Sequence, residues 1–339
     1  MAVRQSPAST AIVRAPEFWT RHGLVPTLLE PLATLYAAAG AARAMLATPF
    51  RVAVPVICVG NLVAGGVGKT PVVLSLAQRL RASGHRPHIV TRGYGGRLGG
   101  PVRVDPAQHG AADIGDEALL LARVAPCWVA RDRVAGAKAA TTAGADLVLL
   151  DDGFQNPTLA KTLSFIVVDG FYGFGNRRLI PAGPLREPIE RGLGRADAVI
   201  LIGADESGVT AAIGNRLPVL HATLEPQGAD ALIGRKVLAF AGIGRPAKFY
   251  ATLAALATEI VAHRDFPDHH PYSEAEIAAL VAAASARDAM LVTTAKDWVR
   301  LPEGLRAGIA VLEVAIAWRE PEKLSALLSR ALPVPAAHG

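Results

Sequence analysis

The sequence predicts an α/β protein in which helices flank a mostly parallel sheet. Two observations favour this class. Short apolar runs that suit buried strands alternate along the chain with segments of helical periodicity, as in parallel βαβ units. A glycine-rich turn, residues 60–68, lies between one such strand and a helix, and it leads into Gly68-Lys69-Thr70. These three residues in this order are typical of loops that hold a nucleoside triphosphate.

Composition limits the kinds of molecule that the chain can bind. The 339 residues carry a formal net charge of +6, which favours an anionic partner such as ATP or an anionic lipid surface. We do not expect nucleic acid, because aromatic residues make up only 5% of the chain and the basic residues are scattered. Cys58 and Cys127 lie in apolar runs, which indicates buried thiols and neither a disulfide framework nor a metal cluster. No feature of the sequence indicates an obligate protein partner.

Residues 1–50 are predicted to contain an amphipathic helix at a membrane interface. Arginines flank an apolar stretch in which Pro31 opens the helix, and one helical face carries Leu32, Leu35, Tyr36 and Ala39. A helix over residues 31–47 would be about 25 Å long, which is too short to span a bilayer well. We therefore expect it to lie on the membrane. A helix packed on the protein's own core is the alternative.

Residues 51–228 form the predicted core, which is of the P-loop NTPase type. A strand over residues 52–59 and a helix over residues 71–80 place the glycine-rich turn as a P-loop requires. The turn is a variant, because the general motif G-x-x-x-x-G-K-[ST] has glycine where this chain has Val63. A glycine-rich turn that binds nothing is the alternative. The predicted nucleotide-binding positions are Val63, Ala64, Gly65, Gly66, Val67, Gly68, Lys69 and Thr70, with Lys69 on the outer phosphates and Thr70 on Mg²⁺.

A smaller C-terminal α/β subdomain is predicted over residues 229–335, and we expect it to close the active site. Its strands are predicted near residues 236–241 and 290–294, and its helices near 247–257 and 274–286. The boundary is predicted within residues 205–235, where proline and glycine interrupt a polar stretch. In the core, the further predicted elements are strands at 88–91, 127–130, 146–150, 164–169 and 198–202 and a helix at 133–143.

Two acidic pairs are candidates for chemistry. Asp151 and Asp152 follow an apolar strand and resemble a Walker B element, whose carboxylate meets the magnesium ion of a P-loop site. The alternative is a turn cap. Asp116 and Glu117 precede a helical run, where acids favour the helix dipole, but phosphoryl transfer to a hydroxyl also needs a carboxylate that accepts a proton.

Two C-terminal motifs are less specific. His269 follows Asp268 in a proline-bounded loop, a pattern more often found at a surface than at a site. Lys296 and Asp297 are adjacent, which does not fit the N-K-x-D spacing of GTPases and weighs against a GTP switch.

These segments, in this order, resemble one family, the tetraacyldisaccharide 4′-kinases of lipid A biosynthesis. The matching segments are GNLVAGGVGKTP (60–71), TRGYGG (91–96), GDE (115–117), DDGFQ (151–155), GNRRLIPAGPLRE (175–187), AGIGRP (241–246), DH (268–269) and TAKD (294–297). In that family the position of Val63 is commonly not glycine. The resemblance therefore accounts for the departure from the general P-loop motif.

The resemblance implies an activity and a location. The activity is ATP- and Mg²⁺-dependent phosphorylation of the 4′-hydroxyl of an acylated disaccharide 1-phosphate lipid, which forms lipid IV-A. The location is the cytoplasmic face of the bacterial inner membrane, where the protein would be peripheral or monotopic. A P-loop NTPase switch that acts on a membrane partner is the alternative.

The resemblance also assigns roles to residues. It implies that Asp116 is the catalytic base, supported by His269, and that Lys69 serves catalysis on the phosphates. The candidates for the metal site are Thr70, Glu117, Asp151 and Asp152. The candidates for positioning the nucleotide or the substrate are Arg92 and Gln155.

Overall fold

The computed structural model describes residues 16–332, which form two compact units. The larger unit contains residues 16–225 and 314–332, and the smaller unit contains residues 226–313. The chain thus leaves the larger unit once and returns to it. Parts of the predicted regions, residues 1–15 and 333–335, lie outside the described residues.

The return of the chain to the larger unit differs from the continuous C-terminal subdomain that the sequence pattern suggested over residues 229–335. The returning segment is tied to the larger unit by two hydrogen bonds: Trp318 Nε1 donates to Ser75 Oγ at 2.9 Å, and the Arg319 amide donates to the carbonyl of His221 at 3.0 Å. Long-range partners of this kind leave no local pattern in the sequence.

Twelve strands and twelve α-helices are present in residues 16–332. The strands are β1 (Val56–Gly60), β2 (Pro87–Thr91), β3 (Val102–Arg103), β4 (Cys127–Val129), β5 (Leu147–Asp151), β6 (Leu163–Asp169), β7 (Ala198–Ile202), β8 (Val219–Gln227), β9 (Lys236–Ala241), β10 (Glu259–Asp265), β11 (Met290–Thr294) and β12 (Ile309–Trp318). The helices are α1 (Leu24–Leu28), α2 (Glu30–Leu46), α3 (Lys69–Ala82), α4 (Ala111–Ile114), α5 (Asp116–Ala122), α6 (Arg133–Thr142), α7 (Ile189–Leu193), α8 (Val209–Ile213), α9 (Pro246–Ala255), α10 (Glu274–Ser285), α11 (Ala295–Trp298) and α12 (Pro321–Ala331).

The larger unit is built on a sheet with the strand order β8-β7-β6-β1-β5-β2-β4-β3. Its neighbouring strands are parallel except for β3 and β4. Every residue of β1, β5, β6 and β7 is buried, as expected for parallel strands that are covered on both faces. The carboxyl ends of β1, β5 and β2 are therefore adjacent, and this is the edge at which open α/β sheets bind ligands.

The predicted strand over residues 52–59 is shorter in the structure, where β1 begins at Val56. The preceding segment is half-buried or exposed, so its apolar side chains do not belong to the buried strand. The helix predicted from residue 71 begins at Lys69, so Lys69 and Thr70 lie in the first helical turn of α3.

In the smaller unit the neighbouring strands of the sheet are parallel, in the order β10-β9-β11-β12. Alternate residues of β9 point to opposite faces of this sheet. One face packs Leu238 and Phe240 against α10, and the other packs Val237 and Ala239 against α9. Helices therefore cover both faces, which agrees with a small α/β unit.

The N-terminal arm, residues 17–46, contains a 3-10 turn (Glu17–Thr20), α1 and α2. Its apolar side chains are largely exposed: Leu24 is 82% accessible, Leu28 77% and Leu35 67%. In α2 the single buried residue is Ala33. The leucines are thus not covered by the described protein, which disfavours the alternative of a core-packed helix. None of the helices in residues 16–332 is both long enough and apolar enough to cross a membrane.

A buried carboxylate holds the carboxyl edge of the smaller sheet together. Asp297 is fully buried and accepts hydrogen bonds from the Gly242 amide (2.9 Å), the Tyr272 hydroxyl (2.7 Å), the Thr294 hydroxyl (2.7 Å) and Arg300 (2.9 Å). Thr294 ends β11, Gly242 follows β9, Arg300 follows α11, and Tyr272 lies in the loop before α10. Asp297 belongs to the TAKD segment (294–297), which does not match the N-K-x-D motif of GTPases. Its role in this unit is therefore structural.

Replacing Asp297 with alanine should lower the free energy of unfolding by about 3–5 kcal/mol, because it leaves a buried guanidinium and three other donors without their acceptor. Denaturant unfolding of the whole chain measures this loss. Glu303→Ala is the matched control, because Glu303 is an exposed carboxylate of the same unit. Equal stability of the two variants would contradict the structural role of Asp297.

Candidate active site

The phosphate loop, residues 61–68, leaves β1 and enters α3. Gly65 and Gly68 have φ values of 113° and 90°, a region that favours glycine. A Cβ atom added at Gly65 or Gly66 would meet nothing within 4 Å, so the space above the loop is open. Within residues 16–332 the amide groups of residues 65–70 have no hydrogen-bond acceptor. Unpaired amides at a helix start around open space are what a phosphate requires.

The first part of the loop is engaged differently from the prediction. The Ala64 amide, predicted to face phosphates, donates instead to the carbonyl of Pro184 at 2.7 Å. Val63 is buried and forms an antiparallel bridge with Leu185, and the Arg186 amide donates to the carbonyl of Leu62 at 2.8 Å. The Ala64 amide is therefore already bonded within the protein, and the contact of Val63 with the nucleotide stays a prediction.

The start of α3 meets the carboxylates that follow β5 and open α5. Lys69 Nζ lies 3.7 Å from Asp152 Oδ1, and the Thr70 hydroxyl donates to Glu117 Oε1 at 3.2 Å. Asp151, the last residue of β5, accepts a hydrogen bond from the Thr91 hydroxyl at the end of β2 (3.0 Å). The structure therefore brings together all four residues predicted for the metal site and the P-loop lysine.

Asp151 is a buried carboxyl in an anionic environment. Burial, followed by the charges of Glu117 and Asp152, raises its pKa to about 7, although Lys69 opposes the shift. Its Oδ1 atom is buried without a hydrogen-bond partner among the described residues. An ionised Asp151 would therefore be stabilised by one more cation at this position.

Asp152 is held in the ionised form. Burial opposes its ionisation, but the positive charges of Lys69 and Arg186 outweigh burial and lower its pKa. Arg186 contacts Asp152 Oδ1 at 2.9 Å. The sequence analysis did not predict this contact, because it joins positions 34 residues apart.

Asp116 owes its position to close packing between two glycine-rich turns. It is buried at the first turn of α5, where its Oδ1 accepts the Glu117 amide at 2.8 Å. A Cβ atom on Gly115 would lie 2.3 Å from the carbonyl oxygen of Tyr94, and one on Gly96 would lie 2.7 Å from the carbonyl oxygen of Asp113. The RGYGG and GDE segments are therefore in direct backbone contact. This contact explains their glycines and places a carboxylate beside Glu117.

Comparison with known proteins identifies the family. Residues 25–333 match the family of tetraacyldisaccharide-1-P 4′-kinases, LpxK. Tetraacyldisaccharide 4′-kinase of Rhodospirillum centenum is 55% identical, covering 96% of this chain and 99% of the relative, and that of Paramagnetospirillum magneticum is 54% identical, covering 94% and 98%. A crystal structure of LpxK from Aquifex aeolicus in complex with ATP superposes with a TM-score of 0.77 at 28% identity, covering 91% of this chain and 100% of that one.

The chain belongs to the tetraacyldisaccharide 4′-kinase family. Membership confirms the predicted resemblance, the mostly parallel α/β fold and the prediction of an ATP-dependent phosphotransferase. It does not favour the alternative of a nucleotide-hydrolysing switch.

Magnesium is the metal ion that kinases of this kind are expected to use, and the residues present fit it. Mg²⁺ usually takes one or two carboxylates and completes its octahedral shell with water and phosphate oxygens. Thr70 Oγ1 and the unpartnered Oδ1 of Asp151 offer hard oxygen ligands of this type. No group of three or more His, Cys, Asp or Glu residues in positions 16–332 could hold a metal ion by itself. The site would therefore hold Mg²⁺ together with ATP.

Three other residues predicted for the site, Gln155, Arg92 and His269, lie outside the cluster around Lys69 and Thr70. Gln155 is a brace, because its amide donates to the Asn61 carbonyl (2.8 Å) and to Glu187 Oε1 (3.0 Å). These bonds tie the start of the phosphate loop to the 175–187 segment, and the role of Gln155 in positioning the nucleotide or the substrate stays a prediction. Arg92 is exposed after β2, close enough to Arg133 for its charge to lower the pKa of that buried guanidinium, after the effect of burial. His269 belongs to the smaller unit, and its support of Asp116 stays a prediction.

Substituting Asp151 with asparagine should stabilise the ligand-free protein more at pH 8 than at pH 5. The pKa of Asp151 is about 7 when folded and about 3.9 when unfolded, so the folded state binds more protons between these values. The contribution of this carboxyl to stability therefore falls as the pH rises from about 4 to about 7, whereas asparagine does not titrate.

Thermal unfolding of wild type and Asp151→Asn at both pH values, without divalent cations, checks this expectation. Asp230→Asn, at an exposed aspartate, is the control. The difference between its melting temperature and that of wild type should change little with pH. At pH 8, Mg²⁺ with ATP should raise the melting temperature of wild type more than that of Asp151→Asn. An unchanged difference between Asp151→Asn and wild type at the two pH values would contradict the raised pKa.

Proposed function

We propose that the chain transfers the γ-phosphoryl group of ATP to the 4′-hydroxyl of a tetraacylated glucosamine disaccharide 1-phosphate, forming lipid IV-A. The observation that carries this proposal is the contact of Lys69 and Thr70 with the carboxylates that end β5 and open α5. Family membership supports the donor, the acceptor class and the reaction. The geometry supports the division of tasks among the residues.

The phosphate loop performs the donor half of the reaction. The amides of residues 65–70 and the Lys69 ammonium face the space where the phosphates would lie, and they would stabilise charge on the transferred group. Mg²⁺, which Thr70 and Asp151 would hold, would neutralise part of the charge on the phosphates. Because Asp152 already contacts Lys69 and Arg186, it holds both cations at the edge of the loop.

The acceptor half needs a proton acceptor, and we propose Asp116 for that role. A sugar hydroxyl is a weak nucleophile until a carboxylate takes its proton. Asp116 is next in the chain to Glu117, whose carboxylate is bonded to Thr70, so the proposed base lies beside the proposed metal site. His269 would assist by orienting this base or by relaying its proton.

The N-terminal arm indicates where the protein meets its lipid acceptor. We propose that the exposed leucines of α1 and α2 insert into the cytoplasmic leaflet of the inner membrane, as a peripheral or monotopic attachment. Arg21, Arg43 and Arg51 flank this apolar surface and suit anionic headgroups. An acceptor with four acyl chains resides in the same leaflet, so the arm and the substrate would share one surface.

Label from γ-labelled ATP should enter the disaccharide 1-phosphate lipid in mixed micelles with Mg²⁺, and Asp116→Asn should lower this transfer by about 10²–10⁴-fold. The reason is that an amide cannot accept the hydroxyl proton. Asp113→Asn is the matched control, since Asp113 is an acid of the preceding helix that bonds Arg97 and the Gly110 amide.

The outcomes separate the hypotheses. Near-normal transfer by Asp116→Asn would refute the role of Asp116. Nucleotide hydrolysis at the same rate with and without the lipid, and no label in the lipid, would favour the switch instead.

Replacing Leu28 and Leu35 together with lysine should weaken flotation with anionic vesicles by at least about tenfold, because two apolar side chains leave the interface. Lysine adds positive charge, so purely electrostatic attraction to the vesicles would increase. Vesicle flotation measures the difference. Ile233→Lys is the control, because Ile233 is an exposed apolar residue of the smaller unit. Unchanged or stronger flotation of the double variant would show that the arm does not insert.

A further inference from the structure

The 175–187 segment contacts two functional parts of the larger unit, the phosphate loop and the N-terminal arm. Its second half pairs with the phosphate loop through the Val63–Leu185 bridge and the Arg186 and Ala64 amides. Its first half bonds the start of the arm. The contacts to the arm are independent of the contacts to the loop, and the proposed chemistry does not use them.

Asn176 is the centre of the contacts with the arm. It is buried, and its backbone N–H donates to the carbonyl of Trp19 at 2.7 Å. Its side-chain NH₂ group is shared among the carbonyls of Phe18 (3.1 Å), Arg21 (3.3 Å) and Ala182 (3.0 Å), and its Oδ1 accepts the Arg178 amide (3.1 Å). One asparagine therefore satisfies three carbonyls of the arm.

Other contacts support the same junction. Trp19 Nε1 donates to the carbonyl of Pro181 at 3.0 Å, and Arg178 forms an ion pair with Glu30 at the start of α2. A Cβ atom on Gly183 would lie 2.1 Å from Asn176 Oδ1, so the segment closes tightly around the asparagine. Hydrogen bonds to backbone carbonyls are directional, and several of them define the position of the arm's first turn.

The other end of the arm is attached separately. After α2, the Phe50 amide donates to the carbonyl of Thr158 (2.7 Å), and the Ala160 amide donates to the carbonyl of Phe50 (2.9 Å). Loss of the Asn176 contacts would thus leave the arm on the protein but free to change its angle. Attachment to the membrane and orientation of the arm are therefore separable properties.

We propose that Asn176 is a positioning residue for the lipid acceptor. It fixes the bilayer-facing arm to the segment that pairs with the phosphate loop. An acceptor whose acyl chains are confined to the bilayer then meets the donor phosphates at a set height and angle. This inference rests on the proposed lipid kinase function and membrane attachment. Its energetic basis is that a fixed approach geometry replaces a search over orientations.

The test compares one acceptor in two forms, embedded in vesicles and dispersed with short acyl chains in detergent. For Asn176→Ala, transfer to the vesicle-embedded acceptor should fall by about tenfold or more, whereas transfer to the dispersed acceptor and the KM for ATP should change by less than about threefold. Flotation with vesicles should stay within about twofold of wild type, because the apolar face is unchanged. Trp19→Phe, which removes a single hydrogen bond of the junction, should show a smaller loss of the same kind.

Asn215→Ala is the control. Asn215 is an exposed asparagine of the larger unit that follows α8, and it is distant in sequence from the arm and from the segments that hold the arm. In the control variant, transfer to the vesicle-embedded acceptor and transfer to the dispersed acceptor should change to the same extent.

Equal losses on both forms of the acceptor, no loss on vesicles, or loss of flotation along with activity would overturn the positioning role. Amide hydrogen exchange of residues 17–30 tests the junction without reference to catalysis, and it should accelerate in Asn176→Ala. Unchanged exchange would overturn the inference even if the wild type is an active kinase. An inactive wild type with accelerated exchange in the variant would instead refute the kinase function and leave the junction supported.

Discussion

The negative charge gathered at the carboxyl edge of the larger sheet is the constraint on which the site depends. Glu117 and Asp152 both oppose the ionisation of the buried Asp151, and Lys69 offsets their effect only in part. Coulomb interactions strengthen away from water, so this edge gains most from an added cation. A magnesium ion bound together with ATP would supply that charge. Binding of the donor and neutralisation of this edge would then be coupled electrostatically.

The phosphate loop shows how the backbone supports this charge. A glycine at position 63 would satisfy the general motif, but Val63 is buried and bridges Leu185. That pairing brings Arg186, the next residue, against Asp152. A second cation therefore lies at the edge, next in the chain to the residue that bridges Val63, while Gly65 and Gly68 have positive φ values. The loop residues that pair with the 175–187 segment differ from those whose amides have no acceptor among the described residues.

The central fold and the identity of the chemical groups could be predicted from the sequence, but their long-range partners could not. β1, β5 and β6 are continuous apolar runs, because both faces of these strands are buried. β8 and β10 were not predicted, since their half-exposed residues give no uniform pattern. The resemblance to the family implied that Thr70 and the three carboxylates share one site, and the structure places these residues and Lys69 close together. The hydrogen bond from Gln155 to the Asn61 carbonyl joins residues about 94 positions apart, and the bond from the Ala64 amide to the Pro184 carbonyl joins residues about 120 positions apart. No local spacing in the sequence reveals such partners.

A lipid acceptor places a demand on this fold that a soluble acceptor does not. A soluble molecule can enter a site from any direction, whereas a sugar tied to acyl chains in a bilayer approaches from a plane. The height of the phosphate loop above that plane must then suit the headgroup. Ion pairs on flexible side chains define such a distance poorly, because exposed pairs are weak and screened by salt. The backbone hydrogen bonds at both ends of the 175–187 segment are short and directional, so they can hold the N-terminal arm in a fixed position relative to the phosphate loop, which exposed ion pairs cannot do.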